Sequence, residues 1–248
     1  MKISIITATF NSVATVRDTL ESVRSQTHRD VEHIIVDGLS VDGTLDVVAG
    51  FPHVGRVISE KDKGIYDAMN KGIRLATGDV IGILNSDDMY IDCSVLSAVA
   101  TAFADPAVMT VYADLQYVDA DNPDRIKRTW VTGPFRKSSF YYGWMPPHPT
   151  FFVRREVYER TGLFNTDLRS AADYELMLRI LLKYGVPAYY IPRVIVKMRA
   201  GGVSNASLRN RLRANREDRL AWKLNGLRPY FFTLYLKPLR KITQFIIT

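Results

Sequence analysis

The chain is 248 residues long, with 47% apolar residues, a formal net charge of +7 and one cysteine, Cys93. That length and composition suit one large or two small globular domains with a sizeable core, and a lone cysteine excludes an intrachain disulfide and a zinc finger. The charge argues against a nucleic-acid-binding body: residues 205–248 carry ten Lys or Arg against two acids, a net of +8, which leaves −1 on residues 1–204.

Lys2 to Thr9 clusters Ile around Ser and Thr as a strand does, with too short an apolar core for a signal peptide. Phe10-Asn11-Ser12 breaks it before a helical pattern at Val13, Val16, Leu20 and Val23. This βα opening leaves Thr7, Thr9 and Asn11 at the ligand edge of a sheet, beside the free N–H groups of a helix start, where a nucleotide can sit. Capping is the plainer use of Asn11 or Ser12. A second strand, Glu32 to Val36, ends in Asp37-Gly38-Leu39-Ser40-Val41-Asp42-Gly43-Thr44, where Asp37 can accept hydrogen bonds from a base or ribose and Asp42 can organise the loop. A short third strand, Arg56 to Ser59, leads to a helix from Ile65 to about Ala76, in which Asp67 and Asn70 read as polar groups tied to backbone.

The stretch Gly78 to Asp88 organises the rest. A short apolar run, typical of a buried strand, ends in Asn85-Ser86-Asp87-Asp88. Two adjacent carboxylates repel, so they suit a place where a divalent cation or several donors neutralise them; a solvated acidic turn is the alternative. Beyond it the pattern predicts a helix over Cys93–Ala104, a strand over Met109–Ala113, and a hairpin of Leu115–Val118 with Arg125–Trp130. Residues 131–150 are rich in Gly, Pro and aromatics, suited to stacking on a sugar or covering a core, and their prolines hold His148 at the start of a strand Thr150–Val153. Asp173 stands at the start of an apolar helix, both an N-cap and a well-placed general base. Strands over Ala188–Ile191 and Val194–Met198 flank Pro192, and the loop from Arg199 to Ser204 can close on an anion. The tail from 205 to 248 is basic and amphipathic. It is too interrupted by Lys237, Arg240 and Lys241 to span a bilayer, and suits either an anionic membrane surface or packing on the domain.

With these residues in view, residues 1–204 resemble the inverting glycosyltransferases of family 2, of GT-A fold. The likeness is carried by Ser4 to Asn11, Val36 to Thr44, Gly64-Ile65-Tyr66-Asp67-Ala68-Met69-Asn70-Lys71-Gly72, Asn85 to Asp88, and Ala172-Asp173-Tyr174-Glu175-Leu176. It implies an α/β fold with a mostly parallel central sheet flanked by helices, followed by a basic helical extension over 205–248. Thr7, Thr9, Asn11 and Asp37 would surround the donor's nucleoside, with Asn70 and Asn85 in the same donor-binding set. Asp87 and Asp88 would match the DXD-type motif for ribose and a divalent metal, Mn²⁺ or Mg²⁺, and Asp173 the base that activates the acceptor. The chain departs from the commonest pattern at Asn85 and Ala172, where the family often has acids. His148, Lys71, Arg199 and Ser204 are lesser candidates for acceptor or phosphate contacts.

The implied partners are a nucleoside-diphosphate sugar and a glycan or lipid-linked hydroxyl, with the tail on an anionic membrane surface, no nucleic acid, and a cytoplasmic or inner-face location. A sugar nucleotidyltransferase would carry a glycine-rich, arginine-containing loop where Thr7-Ala8-Thr9-Phe10-Asn11 stands, and a nicotinamide dehydrogenase a G-x-G-x-x-G after the first strand. A non-catalytic scaffold of the same fold is disfavoured by the presence of Asp87, Asp88 and Asp173 together.

Overall fold

The structure, a computed structural model, describes residues 1–201, 208–240 and 244, with the side chains of 208–212 left aside. Its first half alternates strand and helix: β1 (Ile3–Thr9), α1 (Val16–Arg24), β2 (Val31–Asp37), α2 (Thr44–Ala49), β3 (Val54–Ser59), α3 (Ile65–Leu75) and β4 (Val80–Ile83). These four strands lie parallel in the order β3-β2-β1-β4. Every residue of β1 is buried, as in a strand covered on both faces, and its three hydroxyls bond inside the protein, Ser4 to Glu32, Thr7 to His33 and Thr9 to Asp37. Helix α3 lies so close on β1 that a Cβ at Gly72 would stand 2.3 Å from Ile6 Cγ2. Only glycine fits, and the close approach seats the start of the helix, with Tyr66, over the carboxyl edge of the sheet.

The second half is mixed. After β5 (Asp88–Tyr90) and α4 (Val95–Ala102) come β6 (Thr110–Val118), β7 (Ile126–Trp130), β8 (Phe152–Arg154), α5 (Arg155–Thr161), α6 (Ala172–Met177) with a π-helical continuation to Lys183, and β9 (Ala188–Arg199). They extend the sheet as β4-β8-β6-β9-β5, with β7 on β6. Two expected breaks are absent. β6 runs unbroken through Asp114, and β9 runs through Pro192, because Ala113 pairs with Ile191 and Asp114 with Val194. The bulge lets Pro192 and Arg193 drop out of the ladder, so the missing proline N–H costs no bond. Thr150 is not in the following strand: it closes a 3-10 turn with His148, its hydroxyl donating to the Pro147 and Ala113 carbonyls, and β8 starts at Phe152.

One apolar cluster packs α3, α5 and α6 on one face of the sheet, and another packs α4 on strand residues of the first and second halves. The extension contributes to the first. In α7 (Leu208–Leu224) Trp222 is fully buried and donates to the Tyr174 hydroxyl at 2.9 Å, and Leu234 of α8 (Thr233–Leu239) joins the same cluster. No helix among the described residues is long and apolar enough to cross a membrane.

Candidate active site

The loop leaving β4 separates the two adjacent carboxylates. Asp88 enters β5, whose pairing opposite Met198 of β9 buries it completely. Its Oδ2 accepts from Asn85 Nδ2 at 3.2 Å, and its Oδ1, like Asn85 Oδ1, has no partner among the described residues. Burial, reinforced by the charge of Asp87, pushes the Asp88 carboxyl well above the usual range, against the pull of Asn85 and Arg199. Asp87 instead lines an open cleft of about 530 Å³ at the carboxyl edge of the parallel strands. Its backbone carbonyl is held by Arg199 Nη1 at 3.0 Å. Arg199 is itself paired with Asp18 and bonded to the Ala120 carbonyl, so the guanidinium expected to meet an anion is spent as a brace behind the Asp87 loop.

The opposite wall comes from the start of α6. Asp173 does not cap this helix: the cap position is Ala171, without a side-chain bond. The backbone N–H groups of Arg169, Ser170 and Ala171 all donate to Glu217 Oε2, at 3.0, 2.7 and 3.1 Å, so a carboxylate from α7 fixes the segment leading into the helix. Asp173 is thereby left to face the same cleft as Asp87. Tyr66 donates to Asp173 Oδ1 at 3.2 Å, and His148 Nδ1 lies 3.6 Å from Oδ2. On its other side the imidazole meets Asn85 Nδ2 at 3.3 Å. Because the amide donates, Nε2 accepts and the ring proton sits on Nδ1, towards Asp173. Burial lowers the basicity of His148 while Asp173 and Asp87 raise it, and burial prevails. A polar chain Asn85–His148–Asp173–Tyr66 therefore crosses the cleft from one wall to the other. Arg169 and Arg213 also line it, and neither has a carboxylate partner among the described residues.

The polar residues expected around a nucleoside behave differently. Thr7, fully buried, holds His33 Nε2 at 3.0 Å. Asp37, also fully buried, accepts from Thr9 and Ser40 hydroxyls on Oδ1 and from the Ser40 N–H and Ser59 hydroxyl on Oδ2. All four acceptor positions of the carboxylate are filled, and although burial opposes it, these bonds hold Asp37 below the usual carboxylate range. Asn70 clamps the backbone of Phe164 on both sides, at 2.9 Å each, the fate of a polar group in a core. Lys71 lies away from the cleft, bonded to Asp62 and Glu60. Asn11, exposed with φ 48°, latches the loop after β1 to the loop after β2 through the Val41 N–H. Ser204 lies outside the described residues. Tyr66, Arg169, Arg213 and Glu217 were not singled out by sequence reasoning; the motif around Tyr66 was the one available signal.

The donor set bears on the expected divalent cation. Among the described residues no three His, Cys, Asp or Glu side chains form a metal cluster, so there is no all-protein cage. The cleft-facing carboxylate of Asp87, with Asn85 and its unpartnered Oδ1 in the same lining, fits an ion that takes most of its oxygens from a ligand's phosphates and water, as Mg²⁺ and Mn²⁺ sites do. Such an ion, when bound, supplies Lewis-acid charge stabilisation to a departing phosphate.

Known proteins of similar sequence and shape agree with this architecture. A PGL/p-HBAD biosynthesis glycosyltransferase of Mycobacterium tuberculosis is 31% identical over 207 residues, covering 82% of this chain and 78% of its own. S. aureus TarS 1-349 superposes with a TM-score of 0.70 at 17% identity over 98% of this chain and 72% of that one, while the chain spans 39% of a longer TarS structure. The mannosyltransferase PcManGT from Pyrobaculum calidifontis, solved with GDP-Man and Mn²⁺, gives a TM-score of 0.68 at 21% identity over 95% of this chain and 68% of that one. The sheet, with helices on both faces and its cleft at the carboxyl edge, is the GT-A type. The family model described as Glycosyl transferase family 2 matches residues 4–162, and with the curated relative this establishes that the chain belongs to that family of transferase enzymes.

Proposed function

We propose that the protein is an inverting glycosyltransferase that moves a sugar from a nucleoside-diphosphate donor to a hydroxyl of a glycan or lipid-linked acceptor. The observation that carries this reading is the single cleft bounded by Asp87 on one wall and Asp173 on the other, with His148 between them. Inversion needs the acceptor oxygen to attack the anomeric carbon from the face opposite the leaving diphosphate, so one proton must be taken on one side while negative charge is stabilised on the other. Asp173 takes the proton. Tyr66 and the Nδ1–H of His148 orient its carboxylate. Asp87 would hold a divalent cation, which would supply charge stabilisation to the leaving diphosphate, and Arg169 and Arg213, unpaired with any described carboxylate, supply positive charge to the cleft. Asn11 and the loop shaped by Thr9 and Asp37 frame the nucleoside, with Asn85 beneath the sugar. Donors of this kind, UDP-GlcNAc and GDP-Man, are those named for similar structures, and the Mn²⁺ of PcManGT supports a cation of this kind.

The test is a screen of UDP-, GDP- and dTDP-sugars, with and without Mn²⁺, for thermal stabilisation and transfer, followed by NMR assignment of the anomeric configuration of the product. One donor should raise the melting temperature more with Mn²⁺, and the product should have the opposite configuration. Retained configuration, or no response to any donor, would overturn the reading.

A further inference from the structure

The extension presents two different faces. Inward, α7 buries Ala221 and Trp222, and both of its acids are consumed there: Glu217 by the three N–H groups before α6, and Asp218, itself buried, by Lys237 at 2.7 Å. Outward, Arg216, Arg219, Leu220, Lys223 and Leu224 recur at the spacing of one helix face, and all five are exposed. Glu217 borders that face beside Leu220 and Leu224 but is already held by the three N–H groups before α6, and Asp218 lies on the buried side. Across the turn, Phe231 is 89% and Tyr235 61% exposed, and Leu239, one turn beyond Tyr235, is also exposed. The two helices form one surface, since the Arg219 guanidinium lies 5.9 Å from the centre of the Tyr235 ring.

The opposite side of α8 faces a second cavity of about 600 Å³, with Leu234, Lys237 and Pro238 on one wall and Trp130, Met145 and Met198 among its other lining residues. It shares His148, Ser170 and Asp173 with the first cleft, so the proposed base sits where the two meet. An aromatic edge beside cations that have no carboxylate partner among the described residues complements the interface of a bilayer that holds anionic lipid, where apolar rings enter the headgroup region and Arg and Lys meet phosphates.

We infer that the outer face of α7 and α8, with Phe231 and Tyr235 as its apolar edge and Arg216, Arg219 and Lys223 as its charge, docks the enzyme on an anionic bilayer and sets the second cavity directly behind α8, close to that bilayer. Resting on the transfer reading above, this names the acceptor class: an amphiphile whose apolar part stays in or near the bilayer while its hydroxyl reaches Asp173 through the cavity walled by α8.

Co-sedimentation of the full chain with phosphatidylcholine vesicles, with and without phosphatidylglycerol, tests the docking directly. The protein should partition onto the anionic vesicles and barely onto the neutral ones. The double variant Phe231→Ser/Tyr235→Ser should weaken that partitioning by about tenfold or more, and Arg216→Gln/Lys223→Gln should remove most of the preference for phosphatidylglycerol, both with unchanged melting temperatures. Absence of anionic-vesicle binding, or unchanged partitioning of both variants, would overturn the proposal. So would self-association that the aromatic variant abolishes in a protein that ignores vesicles, which would assign the face to a second copy. The docking stands apart from the chemistry: Asp173→Asn should bind vesicles as the wild type does, whereas transfer to a soluble acceptor by a protein that ignores vesicles would sink the docking alone.

Discussion

Two stretches of the sheet's carboxyl edge carry the acidic and hydroxyl residues of the family's motifs, and they use them in opposite ways. At the end of β1 and β2, Thr7, Thr9 and Asp37 are buried and bonded within the protein, Thr7 to His33 and Thr9 to Asp37, with no acceptor position on Asp37 left over. At the end of β4, Asp87 faces an open cleft, and Asn85, in the same lining, has an Oδ1 with no protein partner among the described residues. A buried polar group with every bond made within the protein stiffens the scaffold, whereas a half-exposed group with bonds to spare is available to a ligand. Matching a motif does not separate the two. The hydrogen-bond inventory does.

Removing Asp37 should therefore act on stability first. Asp37→Ala leaves the buried Thr9 hydroxyl and the half-buried Ser40 donors without an acceptor, while the exposed Ser59 hydroxyl can turn to water, and a loss of about 2 kcal/mol is expected from chemical denaturation. Donor affinity measured on the folded fraction should change much less. A variant of normal stability that fails to bind donor would place Asp37 in contact with ligand and erase the contrast between the two stretches.

The β1–β2 edge should also reveal itself through pH. His33 is fully buried between Thr7 and His53, and burial, with the charge of His53, lowers it from 6.5 to about 3. The unfolded chain therefore takes up a proton between pH 6.5 and about 3 that the folded chain refuses. The stabilisation is fully present above pH 6.5 and is lost as pH falls through that window, at about 1.4 kcal/mol per pH unit from this residue. His53 and His148 are lowered as well, so the comparison is between proteins: His33→Gln should show a shallower loss of unfolding free energy from pH 6.5 downwards. An identical slope would mean that His33 is hydrated and the edge is not the closed scaffold described.

Much of this was legible in the chain itself. The apolar runs of β1, β2 and β4, each ending in polar residues before a helix, carry the parallel half of the sheet, and Asp87 and Asp173 stand out from the lines that follow them. What was not legible depends on partners distant in sequence. Asp88 is withdrawn from the cleft by Met198, and Arg199 braces Asp87 from the end of the same strand. Pro192 suggested two strands because the bulge that accommodates it is set by β6. Asp173 could be read as its own helix cap because nothing local shows that Glu217, from a helix near the end of the chain, already holds the N–H groups before it.

The central claim is a division of labour across one cleft, with Asp173 serving the acceptor and Asp87 the donor. Asp173→Asn keeps the shape and the bond from Tyr66 but removes the proposed base, so the measurement is its transfer rate beside its donor affinity, determined separately by titration. Transfer should fall by about 10²–10⁴-fold with donor affinity unchanged. Transfer that survives the substitution, or donor affinity that falls in step with it, would contradict the account.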